Sequence, residues 1–182
     1  MSKKKDHIFS IAPFDKLSKD GRSFLLENIE IISFDIGEQL IDEKVIPGRV
    51  LIIFEGYARS LFRDYGKLKN FKKYEFGTII GAASIISGQP CENYTAGEGL
   101  VAFSIEEEFW EKLYNLDEKF KKWCDLNLWI QEVLYLLTQK IEIFPKEVEI
   151  SYKVVEGIFN ESKIIFPTQE NFLKEINSGN YI

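Results

Sequence analysis

Gly77-Thr78-Ile79-Ile80-Gly81-Ala82-Ala83-Ser84-Ile85-Ile86-Ser87-Gly88-Gln89-Pro90-Cys91-Glu92-Asn93-Tyr94-Thr95 is the stretch that decides the fold. Gly77 and Gly81 bracket Thr78 to Ile80, a short run that suits a strand. Ala82 to Ile86 then offers small and apolar side chains over one or two helical turns, closed by Ser87-Gly88 and kept from continuing by Pro90. Tyr94-Thr95-Ala96 returns at once to β-type text. A short helix set inside a sheet is the reading this order supports.

Outward from that stretch, the chain is a series of short β-type runs with turn residues between them: Ile29 to Phe34, Gln39 to Ile41, Val50 to Phe54, Tyr57 to Phe62, Phe71 to Phe76 and Leu100 to Ile105. Evenly spaced short strands with glycine at the corners indicate a sandwich or barrel. Helices flank it. Asp15 to Asn28 carries Leu17, Phe24, Leu25 and Leu26 at amphipathic spacing, Glu106 to Leu113 reads as helix, and Lys119 to Phe144 reads as a long amphipathic helix stopped by Pro145. Glu147 to Phe159 suits a further helix, although Val148, Ile150, Tyr152 and Val154 also alternate as a strand would. The expected organisation is an N-terminal extension over 1–13, one domain over 14–144, and a helical tail or linker to a following domain over 145–182.

The chain has 182 residues, 45% hydrophobic and 29% charged, with 14% aromatic, which is enough to build a core without disulfides. Its net charge of -6 repels nucleic acid and anionic lipid, so any phosphate binding has to be local. Val50 to Phe54, the longest apolar run, is far below the roughly 20 residues of a membrane span. No apolar signal core follows Lys3-Lys4-Lys5, and two cysteines without ligand-spaced partners fit a reducing, cytoplasmic setting rather than a zinc site. His7, the single histidine, lies on a basic terminus outside the expected domain, which argues against a metal barrel or a histidine-based nucleophile pair. Glu106-Glu107-Glu108 fits helix-dipole stabilisation better than acid–base work. Neither catalytic residues nor a cofactor are expected.

In this order the residues resemble the cyclic-nucleotide-binding domain family. Phe34-Asp35-Ile36-Gly37-Glu38 is similar to its early Gly-Glu turn, Pro47-Gly48 with Leu51 to Gly56 to its next hairpin, and Gly77 with Gly81 to the entry of its phosphate-binding cassette. The resemblance spans Phe14 to Leu137. It implies a mainly β fold with flanking helices, a double-stranded β-helix or jelly-roll β-roll, followed by a long C-terminal helix and a further helical segment. It also implies a ligand site at Gly81, Ala82, Ala83, Ser84, Cys91, Glu92 and Asn93, where a short helix offers its first N–H groups to a cyclic phosphate.

Two positions depart from the family's pattern. The resemblance implies an acid for the ribose hydroxyl where Ala82 stands, and an arginine for the phosphate where Cys91 stands. Loss of such a charge-assisted contact costs about 2–5 kcal/mol, or roughly 30-fold to several thousand-fold in affinity. Glu92 adds a charge of the wrong sign. The expectation is therefore a non-catalytic regulatory or sensory module that binds cyclic nucleotide poorly. It is similar to the N-terminal cyclic-nucleotide-type domains of some bacterial peptidase-containing ABC exporters, so its partner is an unknown small ligand or a following transporter domain, with neither nucleic acid nor direct membrane insertion.

The other features carry readings of their own. Arg49, Arg59 and Arg63 are candidates for a rebuilt anion site, with solvated arginines as the default; Lys67, Lys69, Lys72 and Lys73 form a basic stretch around a hairpin tip and read as a solvated, edge-protecting surface; Cys91 reads as a small, half-buried filler rather than a redox thiol. Two alternatives of function stay open: a catabolite-activator-type transcription regulator without its DNA-binding domain, and a scaffold that homodimerises through Phe120, Trp123, Trp129 and Leu136.

Overall fold

The computed structural model describes residues 2–64 and 67–128. Two four-stranded antiparallel sheets make the roll. They are built from β1 (Ile29–Ser33), β2 (Gln39–Ile41), β3 (Arg49–Glu55), β4 (Ala58–Asp64), β5 (Lys67–Tyr74), β6 (Ile79–Ile80), β7 (Tyr94–Ala96) and β8 (Val101–Glu106). Their orders are β1-β8-β3-β6 and β2-β7-β4-β5, so neighbours in sequence sit in opposite sheets, except for the β4–β5 hairpin, and the chain winds as a jelly roll. The expected mainly β roll with flanking helices is what the chain forms.

The run Val50-Leu51-Ile52-Ile53 shows why this stretch reads as continuously apolar. Val50 and Ile52 belong to the core shared with the helices, while Leu51 and Ile53 belong to the core inside the roll, so β3 is buried on both faces. Its register pairs Ile52 with Phe103 and Val50 with Ile105 of β8. The helical layer consists of α1 (Ser2–Lys5), 3-10 turns at Asp6–Ser10 and Phe14–Lys16, α2 (Lys19–Asn28), α4 (Glu107–Leu116) and α5 (Glu118–Asn127), while α3 (Ala82–Ser87) sits in the second half of the roll. Phe14, Trp110 and Phe120 stack on one another at ring separations of 5.0–6.4 Å and seal the helices onto the first sheet.

Three local differences from the sequence reading have physical causes. The first 13 residues, expected as an extension, pack onto the domain: Ile8 and Ile11 are buried in the helical core, and the His7 ring lies 5.7 Å from that of Phe54. The strand expected from Phe71 to Phe76 runs instead from Lys67 to Tyr74 as β5 and carries the lysines at 67, 69, 72 and 73 along an exposed sheet edge; a strand exposed on both faces has no apolar alternation to betray its start. The helix expected from Lys119 begins one residue earlier, at Glu118, because Asp117 accepts from the N–H groups of Lys119 and Phe120, both at 3.1 Å, and caps it. Its continuation to Phe144, the segment 147–159 and the tail lie outside the described residues, as do Trp129 and Leu136. Phe120, offered as a dimer contact, is spent inside the domain.

Candidate functional site

The seven residues expected to form the cassette converge on one place, the start of α3 and the strand that returns beside it. Gly81 opens α3 with φ +89°, a left-handed conformation in which a Cβ would lie 2.9 Å from the Arg49 carbonyl oxygen. Ala82, Ala83 and Ser84 follow on the first turn, all buried, and Cys91, Glu92 and Asn93 come back alongside, also buried.

The Glu92 side chain turns inward. Its Oε1 accepts from the Gly81 N–H at 2.8 Å; its Oε2 accepts from the Ser84 N–H at 3.0 Å and the Ser84 hydroxyl at 2.9 Å. The Ser84 oxygen in turn accepts from the Cys91 N–H at 3.2 Å, which locks the returning strand to the helix. Amides at the start of a helix, with glycine at the entry, form a cradle for an anion. Here the donors of that cradle are taken by a carboxyl group of the chain itself. Among the described residues no lysine or arginine pairs with it, and burial raises the Glu92 pKa, while the bonds from Ser84 and Gly81 and the nearby Ala83 amide pull it back only in part. Every polar contact to the group is a donor, so the geometry satisfies the ionised form.

Asn93 extends the lock toward the roll's rim. Its Oδ1 accepts from Gln39 at 3.0 Å and its Nδ2 donates to Glu43 at 3.1 Å. Below it the Tyr94 ring is wholly buried, edge-on to Tyr74 at 5.5 Å, and packs with Ile41, Leu51 and Ile80 into the interior facing the cassette. Burial, reinforced by Tyr74 and Glu92, pushes its phenol well above the ordinary value. Cys91 is more deeply buried than the half-buried filler expected, with Sγ 3.5 Å from Ser84 Oγ. Arg59 does not reach the cassette: it stacks on Tyr57 and donates to its hydroxyl at 2.8 Å, on the face of β4 opposite the buried Ala58 and Ser60. What the sequence reading missed is the direction of Glu92. The available signal was an acid two residues after Pro90, which returns the chain to a glycine-started helix.

The sequence matches no protein-family model and no curated protein. Solved structures share the fold. The regulatory domain of Toxoplasma gondii PKA with cAMP superposes with a TM-score of 0.57 at 17% identity, over 79% of this chain and 50% of that one. The regulatory subunit of a cAMP-independent protein kinase A from Trypanosoma brucei does so with a TM-score of 0.60 at 15% identity, over 72% and 49%. The sensor domain of the transcriptional regulator DNR from Pseudomonas aeruginosa matches over 79% of this chain and 99% of its own, at 12% identity and a TM-score of 0.56. The chain therefore has the fold of cyclic-nucleotide-binding domains. It spans about half the length of the two kinase regulatory chains.

Proposed function

We propose that this chain is a non-catalytic regulatory module whose cassette is occupied by its own Glu92 carboxylate, so that it does not answer to cyclic AMP or cyclic GMP. The observation that carries this reading is the set of three donors on Glu92, two amides and a hydroxyl, all within 3.0 Å. A cyclic phosphate competing for the cradle would have to expel a buried carboxylate and would find neither a cation at Cys91 nor a sugar acceptor at Ala82. That a protein of this fold is described as cAMP-independent supports a separation of the architecture from that second messenger.

The lever remains. Ile85 of α3 packs in the same core as Trp110 and Leu113 of α4, and Tyr114 of α4 bonds Asp125 of α5, so displacement of the cassette has a packed route to the last described helix. We assign the input to a partner or a different ligand, and the setting, on the sequence likeness above, to the N-terminal side of an ABC-type exporter. Isothermal calorimetry of the whole chain with cyclic AMP and cyclic GMP tests the reading: no saturable heat up to millimolar nucleotide supports it, and clean saturation at low micromolar concentration overturns it.

A further inference from the structure

Trp110 of α4 is wholly buried, and its indole N–H has no hydrogen-bond partner among the described residues. The rings stacked on it, Phe14 and Phe120, carry no oxygen or nitrogen that could accept. A buried donor without an acceptor is costly, and folded chains leave few of them. Trp110 also lines a cleft of about 250 Å³ between α3 and α4, walled by Ile85 and Ile86 on one side and by Glu111, Tyr114 and Asn115 on the other. Two polar groups there are already engaged: the Tyr114 hydroxyl donates to Asp125, and Asn115 Nδ2 donates to the Glu111 backbone carbonyl at 2.9 Å.

We infer that the α3–α4 cleft binds a small, uncharged organic molecule with a carbonyl-type oxygen on an apolar body, the oxygen accepting from the Trp110 indole N–H. This names the input of the regulatory module, and for its effect it rests on the function proposed above. At about 250 Å³ the cleft is just smaller than the roughly 300–1,000 Å³ that holds a drug-sized ligand, so its occupant is a compact one. The six lining residues include one carboxylate, Glu111, and neither lysine nor arginine, so an anion meets repulsion without a counter-charge. Ile85 and Ile86, with the rings of Trp110 and Tyr114, suit an apolar and preferably aromatic body. The position matters as much as the chemistry. Ile85 follows Ser84, which bonds Glu92, and Tyr114 bonds Asp125 of α5, so a molecule seated between them touches both ends of the packed route.

Benzamide is the probe, titrated into the isotope-labelled whole chain while NMR follows the indole N–H signals of Trp110, Trp123 and Trp129. The Trp110→Phe variant assigns the first of these by its loss. A saturable downfield movement of the Trp110 indole proton is expected, with the largest amide shifts on α3 and α4. Toluene, a similar body without the acceptor, should bind about fivefold more weakly and cause no downfield movement. Benzoate, the anion of similar shape, should bind about tenfold more weakly or worse. Ile86→Phe, a change at an exposed position that fills the mouth of the cleft, should abolish saturation and leave the urea-unfolding midpoint near that of the wild type. Absence of saturation, an indole signal that stays put because a water already holds the donor, shifts centred elsewhere, or equal binding of benzoate overturns the inference. Calorimetry with cyclic AMP separates the two claims: micromolar saturation by the nucleotide removes the regulatory reading and leaves the indole result standing, whereas a silent indole signal removes this site alone.

Discussion

The buried Glu92 carboxyl accepts from three donors at the start of α3, and this has consequences for stability that can be measured. Truncation, Glu92→Ala, strands two amides and a hydroxyl without an acceptor and should cost about 2–4 kcal/mol in urea unfolding at neutral pH. Glu92→Gln keeps the shape but turns a donor toward Ser84, so its loss should be smaller. The pH dependence has a definite sign. Burial raises the folded pKa above the unfolded value of 4.5, so the folded state holds the proton more tightly; the group's stabilising contribution is full below pH 4.5 and is lost as pH rises through the folded pKa. The difference in stability between the wild type and Glu92→Gln should therefore shift against the wild type as pH rises through that window, and parallel curves would contradict the assignment. Cys91 and Cys124 are buried and form no disulfide, and burial pushes the Cys124 thiol up. Neither should be alkylated until the protein unfolds, as mass spectrometry with and without denaturant will read. At this scale the sequence was partly legible: Gly81, Ala82 and Cys91 could be placed by their motif, but the inward turn of Glu92 depends on which face of the returning segment meets α3, and an acid two residues after Pro90 was the one hint of it.

Helices and strands divide by how strongly their own residues announce them. β3 reads as buried on both faces because four consecutive apolar residues alternate between two cores. The first half of β5 hides because charge on both faces erases the period. The start of α5 hides for another reason: Asp117 serves two elements at once, capping α5 through Oδ1 while its Oδ2 accepts from the Ser18 N–H at 2.8 Å, ninety-nine residues away in sequence. Burial alone would raise the Asp117 pKa, but the donors of Ser18, Phe120 and Lys119 outweigh it and hold the carboxyl below its ordinary 3.8. Its contribution is thus present above pH 3.8 and is lost as pH falls through the depressed value. Asp117→Ala should cost about 2–3 kcal/mol, the sum of a lost helix cap and an orphaned amide, and should steepen neither limb above pH 5. Chemical denaturation at two pH values checks both statements. A glycine-to-alanine change at Gly56, where φ is +71° and a Cβ would sit 2.4 Å from the Gly99 carbonyl oxygen, should prove more damaging than one at the open Gly37.

On the scale of the molecule, the roll was legible from its ordered glycine corners and from the helix inserted among strands, because those features belong to the backbone path. The response was less so. Whether a cassette is open or closed depends on packing across the roll, where Tyr94 and Tyr74 meet Ile41, Leu51 and Ile80. The charge distribution adds a second division, an acidic body with a cationic edge strand, and composition averages it away. On the function proposed above, the Glu92 bonds hold the cassette shut while the packing of α3 against α4 and α5 carries its displacement onward. A crystal structure of the whole chain grown in millimolar cyclic AMP tests this most directly. The account expects Glu92 still bonded to the Gly81 and Ser84 amides and the roll interior filled by Tyr94; nucleotide phosphate on those amides, with the Glu92 side chain swung out to solvent, would contradict it.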